Sequence, residues 1–529
     1  MNPFLSAEPE VLLVNAFARP FDNAVAAART CYSSKGIVTP EEVAGELAKD
    51  EEERERRRQR RDALAEDIFK AGHHTVFQHG TVQFTLSNVS RQFVWSFLHS
   101  HPHYNSEQVS QRYVEVKAGN YLIPPLKGEA LSVYEDTVQK QFDAYHALID
   151  VLQPVAGSAF YQVFPARQKQ PQKWQSDIKK KAMEVARYVL PVATFTYLYH
   201  TINCVTLMRY WRLCQMWDAP LEQRVVVEKM VGELLKVSPE YARLLGEPIP
   251  LEETIEFQFY TNLPTCQPAN LPTFLREFDA SLNGCVSKLI DFKPHNETLL
   301  AQAVREVLGV PAAALPDDDA IALALDPSRN WYLGETLNLT AHSKLTRAMV
   351  HPHYTFRKKL SHTADSQDQR HRTTPASRPV LIYHLSDAPD FITPDLVRHD
   401  ERATQIYNEV MDATWDGIHR LRQLGVSAEF AAYLLPNAVA IRFTESADLA
   451  SLWHKHAMRL CYNAQEEIWR ASVEEAIQIR EVNPRIGRFL LPPCGLRARA
   501  HLTPYCPEGK RYCGVPVWKL DVQEYKRVI

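Results

Sequence analysis

The sequence predicts an α+β protein (α/β in the broad sense) of two homologous halves, each a mixed β-sheet core wrapped by helices, together forming a pseudo-dimer. Its length of 529 residues exceeds the about 250–300 residues that one hydrophobic core usually serves. Its composition, 45% hydrophobic and 23% charged, suits packed globular cores. A third observation is an internal repeat, which shows first in the order of the predicted elements.

Each half opens with a short strand followed by a helix. Residues 11–14 predict the first strand, and the alanine-rich residues 22–29 predict the helix after it. Residues 288–291 and 298–305 repeat this order near the middle of the chain. The recurrence indicates a tandem duplication.

Further landmarks recur at two constant spacings. Tyr354-Thr355-Phe356 stands 272 positions after Val82-Gln83-Phe84, and on that spacing Arg370-His371-Arg372 aligns with Leu98-His99-Ser100. Residues 431–436 follow residues 186–191 by 245 positions, and the same spacing aligns Arg459 with Cys214. Two constant spacings indicate that the halves share one architecture, with additional residues of the first half between the two landmarks.

The chain is therefore divided into four segments. Residues 1–245 and 285–485 are the homologous halves. Residues 246–284 are a predicted linker, because prolines interrupt any regular pattern there. Residues 486–529 form a C-terminal extension rich in cysteine and proline.

Charge and composition exclude several classes of function. A net charge of −3 gives no electrostatic basis for general binding to nucleic acid or to a membrane surface. The N-terminal residues lack the basic and apolar regions of a secretory signal, and no later run reaches the about 18 apolar residues of a membrane span. We therefore expect a cytoplasmic protein whose nine cysteines are reduced thiols.

Four soft or borderline metal ligands lie close together in the C-terminal extension: Cys494, His501, Cys506 and Cys513. Prolines and glycines surround them, which predicts a turn-rich setting suited to a small zinc site. The spacing lacks a Cys-x-x-Cys pair. Buried reduced thiols without a metal are the alternative interpretation.

Two short stretches carry most of the chemistry. The first, Gln367-Asp368-Gln369-Arg370-His371-Arg372, brings two permanent cations and an imidazole together, predicted on a helix that follows a strand. Such a group can pair with phosphate or stabilise a negatively charged ring. The second, Ser110-Gln111-Arg112-Tyr113, lies in the first half about 260 residues earlier.

Together these stretches resemble the two ends of the active-site motif of flavin-dependent thymidylate synthases. In that motif seven residues separate Arg-His-Arg from the serine of Ser-x-Arg-Tyr. The second half keeps the Arg-His-Arg end. The first half keeps the other end, including Glu107, with about two additional residues before Ser110. Each half thus retains what the other has lost.

The resemblance implies reductive methylation of dUMP to dTMP, with FAD as cofactor and NADPH and methylenetetrahydrofolate as co-substrates. It implies catalytic roles for Ser110 and for Arg459, which would polarise the pyrimidine. It implies flavin contacts from Arg370, His371, Arg372, Thr75, Asn203 and Glu107. It implies nucleotide contacts from Ser110, Arg112, Tyr113, Arg187, Gln367, Arg370 and Arg459.

In the resembled family the active sites are built between subunits. A tandem duplication can therefore divide one site's duties between two halves, and a homodimer of this chain would reproduce the family's tetramer. Two other functions remain open at this point. One is a flavin enzyme acting on a different pyrimidine nucleotide, and the other is a degenerate, non-catalytic nucleotide-binding scaffold.

Overall fold

The computed structural model describes residues 2–99, 101–215, 218–262, 270–527 and 529. These residues form two compact units. Unit 1 comprises Met1–Glu135, Pro191–Gln267 and Arg420–Leu434, and unit 2 comprises Asp136–Leu190, Pro268–His419 and Leu435–Ile529. Each unit therefore includes a segment from the other half of the sequence.

Each unit contains a four-stranded antiparallel sheet, with the order β1-β2-β4-β3 in unit 1 and β5-β6-β8-β7 in unit 2. The strands are β1 Glu10–Ala16, β2 Thr81–Ser90, β3 Asn105–Gln108, β4 Phe195–Asn203, β5 Ser287–Phe292, β6 His353–Ser361, β7 Ala376–Ser377 and β8 Ala440–Asp448. The shared order confirms the predicted α+β class with two homologous halves. The predicted mixed pairing was wrong, since the pairs between these strands are all antiparallel.

Helices surround both sheets. Those that begin in the first 262 residues are α1 Pro20–Thr30, α2 Pro40–Ala44, α3 Glu51–Lys70, α4 Arg91–His99, α5 Gly128–Val163, α6 Pro171–Ala186, α7 Cys204–Arg212, α8 Pro220–Val237 and α9 Ile255–Asn262. Those that follow are α10 Leu271–Leu282, α11 Asn296–Leu308, α12 Asp317–Leu325, α13 His362–Asp368, α14 Asp395–Arg398, α15 Glu401–Gln423, α16 Ala428–Ala432, α17 Leu449–Arg459, α18 Glu466–Val482, α19 Pro484–Gly487 and α20 Pro493–Arg499. The predicted strand-then-helix opening of each half is confirmed by β1 with α1 and by β5 with α11.

The stretch predicted as a linker contains helices. Both α9 and α10 lie within residues 246–284, so the expectation that proline would interrupt every regular pattern there was wrong. Pro272 is compatible with α10 because it occupies the first turn, where a backbone N–H has no helical partner to lose. Pro264 and Pro268 lie outside the described residues.

The inward faces of the equivalent strands β2 and β6 differ at one position. In β2, Val82, Phe84 and Leu86 are fully buried and apolar. In β6, the aligned positions carry Tyr354, Phe356 and Lys358, and all three are also fully buried. A buried lysine is expensive unless it is paired with acids. Unit 2 therefore needs buried acidic partners at a position where unit 1 carries the apolar Leu86.

A β-bulge in β2 changes the alignment of the halves. The pairing of β2 with β4 shifts between Leu86 and Val89, with Asn88 at a φ of 54°, whereas β6 pairs with β8 without interruption. Because β2 has one additional residue at the bulge, equivalent residues of the two halves are 272 positions apart before the bulge and 271 positions apart after it. Ser90 therefore corresponds to Ser361. His99 therefore aligns with Arg370 and not, as the sequence suggested, with His371.

The corrected alignment also shortens the insertion before Ser110. The residue that now aligns with His371 is Ser100, which lies outside the described residues, and the one that aligns with Arg372 is His101. One additional residue, and not two, separates the aligned motif from Ser110.

In unit 1 a buried Ser-Glu-Tyr group fixes the start of α4. The backbone N–H and Oγ of Ser90 donate to the Glu222 carboxylate at 2.7 and 2.6 Å, and the Tyr433 hydroxyl donates to it at 2.7 Å. Ser90 Oγ also accepts from the Phe93 N–H at 2.9 Å, as an N-cap does. Burial raises the pKa of Glu222 to about 7.

Unit 2 repeats this group with equivalent residues. The backbone N–H and Oγ of Ser361 both donate to Glu467 at 2.6 Å, and the Tyr188 hydroxyl donates to it at 2.5 Å. Tyr188 comes from the first half of the sequence and Tyr433 from the second, and each completes the group in the unit that the other half dominates. The repeated tyrosines and glutamates confirm the alignment at a spacing of 245.

Replacing Tyr433 with phenylalanine is expected to destabilise unit 1 by about 1–3 kcal/mol, because a buried carboxylate loses one of its donors. Thermal unfolding of the full chain measures the loss. Tyr197→Phe is the control, since that side chain is 58% exposed and lies in the same unit. Equal unfolding temperatures for both variants would contradict the role assigned to Tyr433.

None of the helices among the described residues is both long enough and apolar enough to span a bilayer.

Candidate active site

The Arg370-His371-Arg372 tripeptide lies immediately after helix α13 and not on it, which corrects the predicted placement. The helix begins at the N-cap Ser361 and ends at Asp368, and the N–H of His371 then donates to the Asp368 carbonyl oxygen at 3.0 Å. Cationic side chains next to a helix C-terminus are favoured by the helix dipole. Arg370 and Arg372 are exposed on either side of the buried His371.

Arg459 joins this turn in unit 2. Its Nε donates to His371 Nε2 at 2.9 Å, and one terminal guanidinium nitrogen donates to the Gln367 carbonyl oxygen at 2.6 Å. Arg459 is the last residue of α17, which follows the central strand β8. The structure thus brings together three residues that the sequence analysis selected from positions almost 100 residues apart.

Electrostatics hold His371 neutral. Burial lowers the pKa of His371 well below its ordinary value, and the nearby Arg459 and Lys455 cations lower it further. Because Nε2 accepts a hydrogen bond from Arg459, the proton of the neutral ring resides on Nδ1. The neutral imidazole therefore orients Arg459 without adding a positive charge beside those of Arg459 and Lys455.

The pKa of His371 is expected to rise when Arg459 is replaced with methionine, because one of the cations that disfavour its protonated form is then absent. In the unchanged protein the His371 ring is expected to show no titration between about pH 6 and 8. Histidine-selective NMR measures both midpoints. The same midpoint in both proteins would contradict the coupling.

Arg187 is connected to this group through its neighbour Tyr188. The Gln367 side-chain amide donates to Gln465 Oε1 at 3.5 Å, and the Gln465 amide donates to the Tyr188 hydroxyl at 2.5 Å. Arg187 itself is buried, and its Nε donates to the Glu184 carbonyl oxygen at 3.1 Å. Unit 2 contains every predicted site residue from the second half of the sequence, and it also contains Arg187 from the first half.

Buried charged side chains contact Asp368, the last residue of α13 before the Arg370-His371-Arg372 turn. The Lys358 and Lys455 side chains are 0% exposed, as are the acids that they contact. Lys358 Nζ lies 2.7 Å from Glu445, 2.7 Å from Glu475 and 3.3 Å from Asp368. Lys455 Nζ lies 2.8 Å from Asp368. Asp368 precedes the Arg-His-Arg turn, so this network fixes the end of α13.

Sequence patterns did not reveal Gln465, Tyr188, Lys358 or Lys455 as parts of the site. Gln465 and Tyr188 lay inside the repeated segments that aligned the halves, but as alignment markers only. Lys358 had a stronger signal, because a lysine stands where the strand pattern requires an inward apolar residue.

Apart from Arg187, the predicted site residues of the first half lie in unit 1. Ser110 Oγ accepts from the Arg112 N–H at 3.2 Å, and the Arg112 guanidinium lies 5.3 Å from the centre of the exposed Tyr113 ring. Ser110 and Arg112 follow β3, and the β3 residue Glu107 is exposed. Their assignment to the nucleotide and the flavin stays a prediction.

Two other predicted flavin residues occupy helix starts in unit 1. Asn203 Oδ1 caps α7 by accepting from the Thr206 N–H at 2.9 Å and from its hydroxyl at 2.8 Å. Thr75 is exposed on a short 3₁₀ helix, His74–His79. The capping bonds give Asn203 a structural role whether or not it contacts a flavin, and both flavin assignments stay predictions.

The predicted zinc ligands are not assembled as the sequence suggested. In the part of the chain that the structure describes, no group of three or more His, Cys, Asp or Glu side chains is arranged to hold a metal ion. Cys494, Cys506 and Cys513 line one pocket, but His501 does not. His501 is exposed in the turn after α20, where it adopts a φ of 56°.

Comparison with known proteins identifies the family. The family model described as "Thymidylate synthase complementing protein" (Thy1) matches residues 12–240 and 288–485. The chain belongs to the Thy1 family. The match of one family model to two segments is consistent with a tandem arrangement in this Thy1 chain. The resemblance on which the sequence analysis relied is thereby confirmed.

Relatives of this Thy1 chain carry more specific names. A flavin-dependent thymidylate synthase of Clostridium tetani is 26% identical over 240 residues, covering 45% of this chain and 86% of the relative. One from Geobacter sulfurreducens is 32% identical over 157 residues, covering 29% and 65%. A solved UMP/dUMP methylase, PolB from Streptomyces cacaoi bound with 5-Br dUMP, aligns at 20% identity and a TM-score of 0.32, covering 45% of this chain and 95% of that one.

Proposed function

We infer that this Thy1 chain is a flavin-dependent thymidylate synthase that converts dUMP to dTMP with methylenetetrahydrofolate and NADPH. The observation that carries the proposal is the contact of Arg459 with both His371 and Gln367 in unit 2. The family motif and its remote arginine thus form one hydrogen-bonded group. Membership of the family and the names of the relatives support the same activity.

The residues of this group suit a flavin. FAD carries phosphates, and its reduced ring carries negative charge, so it requires cations and hydrogen-bond donors. Arg370 and Arg372 are exposed cations on one turn, and the neutral His371 between them adds no positive charge of its own. Charge-assisted pairing with phosphate or with the ring is chemically sensible there. We assign Arg370, His371 and Arg372 to the flavin.

The nucleotide would be held by residues beside this turn. Arg187 and Arg370 are the proposed phosphate partners, and the Gln367 side chain is the proposed donor or acceptor for the sugar or base. The bond from Gln465 to Tyr188 connects the Gln367 amide to the residue next to Arg187. That connection supports a single nucleotide site in unit 2.

The chain's own residues orient and polarise the reactants. When bound, flavin supplies the reducing equivalents that originate from NADPH, and the folate supplies the one-carbon unit. In the overall reaction a carbon–carbon bond forms at C5 of the pyrimidine, C5 loses its proton, both carbon–nitrogen bonds that hold the one-carbon unit on the folate break, and tetrahydrofolate leaves. The reducing equivalents convert the transferred one-carbon unit to the methyl group of dTMP. Arg459 is proposed to favour electron density on the pyrimidine carbonyl through its guanidinium. The His371 and Gln367 contacts hold that guanidinium in place.

A reconstitution experiment tests the proposal. The full chain is incubated with FAD, separated from free flavin by gel filtration, and assayed for dTMP with dUMP, methylenetetrahydrofolate and NADPH. Retained flavin absorbance and dTMP formation are expected. Protein that neither retains FAD nor forms dTMP would overturn the proposal and leave a non-catalytic scaffold.

Substrate choice is tested in the same assay. Oxidation of the reduced flavin is compared for dUMP, UMP and dCMP. Faster turnover with UMP or dCMP than with dUMP would overturn the assignment of dUMP as substrate while leaving the flavin site intact.

The contribution of the first half is tested separately. Ser110→Ala is expected to lower the same dTMP-forming activity that Arg372→Ala lowers, if the division of duties predicted from the sequence holds. Retention of full activity by Ser110→Ala would contradict the predicted role of Ser110 and leave the proposal for unit 2 unaffected.

A further inference from the structure

A pocket in unit 2 contains four cysteines and is separate from the Arg-His-Arg turn. Cys461, Cys494, Cys506 and Cys513 all line it. Three of these cysteines are ones that the sequence pattern indicated as metal ligands, and the tertiary structure adds Cys461 in place of His501. Cys461 precedes α18 by five residues and follows Arg459 by two.

These cysteines come from three separate parts of the chain. Cys461 lies in the connection between α17 and α18, Cys494 lies in the first turn of α20, and Cys506 and Cys513 lie in the turn-rich segment after α20. Convergence of four thiols from such distant positions is unusual for residues that serve only as small apolar side chains. Four cysteine sulfurs are also the complete ligand set of one class of structural zinc site.

Backbone groups contact three of these sulfurs. The Asn463 N–H donates to the Cys461 sulfur, and the Gly495 N–H donates to the Cys494 sulfur. The Val515 N–H donates to the Cys513 sulfur, and the Cys513 thiol donates to the Val515 carbonyl oxygen at 3.6 Å. These contacts fix where three of the sulfurs lie around the pocket.

No basic side chain of the pocket lining would balance the charge of thiolate ligands. The described residues that line the pocket include Glu508 and no lysine or arginine. A divalent cation would itself supply the positive charge that four thiolate ligands require.

We propose that Cys461, Cys494, Cys506 and Cys513 bind one thiophilic divalent metal ion, with Zn²⁺ as the physiological candidate. The sulfurs surround the pocket without meeting at ligand distances, so binding draws them inward. Cys461, Cys506 and Cys513 lie outside the α-helices, in connections and turns that can adjust. Each thiol loses its proton when its bond to the metal forms, so binding releases protons and strengthens as pH rises.

The metal would anchor the C-terminal extension next to the active-site arginine. The extension already contacts the residues that follow Cys461: the Asn463 amide donates to the Arg511 carbonyl oxygen at 2.7 Å, and the Lys526 N–H donates to the Tyr462 hydroxyl at 3.0 Å. A four-sulfur site would add a cross-link at Cys461, two residues from Arg459. The inferred role is therefore structural, and it holds the end of α17.

Metal analysis of the full chain tests the inference. Protein purified under reducing conditions is stripped with a chelator, incubated with Zn²⁺ alone, freed from excess ion and analysed by mass spectrometry. About one Zn²⁺ per chain is expected. Titration of the stripped protein with Co²⁺ is expected to give the visible absorption of tetrahedral thiolate coordination. This measurement requires neither a variant nor enzymatic activity.

Variants identify the ligands. Cys461→Ser is expected to lower zinc affinity at least about tenfold. His501→Ala and Cys31→Ser are expected to retain it, since His501 does not line the pocket and Cys31 lies in unit 1. Loss of zinc from His501→Ala but not from Cys461→Ser would overturn the assigned ligand set. Absence of bound zinc in unchanged protein whose thiols are all reduced, or recovery of the four cysteines as disulfides, would overturn the metal site.

Discussion

Replacing Arg459 with alanine is expected to lower the rate of dTMP formation by about 10²–10³-fold, the range seen when one preorganised donor is removed from an active site. The guanidinium is held by His371 at 2.9 Å and by the Gln367 carbonyl oxygen at 2.6 Å, so its position is set before substrate binds. The loss should appear mainly in kcat, because the interaction strengthens as charge develops on the pyrimidine. Steady-state assays with saturating FAD measure it.

Two controls separate the chemistry from the fold. Arg402→Ala removes an exposed arginine of α15 in the same unit, whose guanidinium donates to Gln405 at 2.9 Å, and it is expected to leave kcat unchanged. Flavin absorbance of the Arg459 variant reports whether the Arg370-His371-Arg372 turn still binds FAD. Unchanged kcat in Arg459→Ala with flavin bound would remove Arg459 from the mechanism.

Replacing Lys358 with methionine is expected to destabilise unit 2 by about 3–5 kcal/mol, because breaking a buried ion pair leaves uncompensated charge. Lys358 contacts Asp368, Glu445 and Glu475, and all four side chains are 0% exposed. In the variant, Lys455 remains as the only lysine contacting Asp368 and Glu445 among the described residues. Thermal and chemical unfolding of the full chain measure the loss.

The control is an ion pair of the same unit on its surface. Arg329 lies 2.8 Å from Asp319, with side chains 44% and 50% exposed, and Arg329→Met is expected to change stability by less than about 1 kcal/mol. Equal losses from the two substitutions would contradict the importance of burial.

The pH dependence of the Lys358 variant follows from the same charges. The two lysines hold the pKa of Asp368 well below its ordinary value, although burial opposes them. Without Lys358 that pKa rises, so the folded variant takes up a proton more readily as pH falls. The stability difference between Lys358→Met and the unchanged protein is therefore expected to shrink at lower pH. A difference that grows on acidification would contradict this explanation.

Much of the architecture was predictable because it is written in local patterns. The strand-then-helix order at residues 11–29 and 288–305 follows from hydrophobic periodicity, and the repeat at a spacing of 245 follows from residues such as Tyr188 and Tyr433. The sheet order and the antiparallel pairing were not predictable, because strands that are distant in sequence pair through tertiary contacts.

The candidate site was predictable in its parts and not in its assembly. Arg370-His371-Arg372 and Arg459 were recognisable as chemically competent residues at motif positions. Their contact depends on how the end of α17 packs beside the end of α13, which no spacing encodes. The alignment of His99 was wrong because a single bulge at Asn88 shifts one strand by one residue. The alternation of buried residues changes phase only between Leu86 and Val89, near the end of β2, and too few strand residues follow for a periodic pattern to reveal it.

The sequence by itself indicated two homologous halves, and it predicted that each half keeps part of one family motif. Only the tertiary structure decided that Asp136–Leu190 of the first half belongs to the unit containing Arg370-His371-Arg372. The same holds for Cys461, which replaces His501 beside the C-terminal cysteines. The physical reason is common to both: periodicity reports the face that a segment buries, whereas the partner of that face is selected by packing among segments hundreds of residues apart.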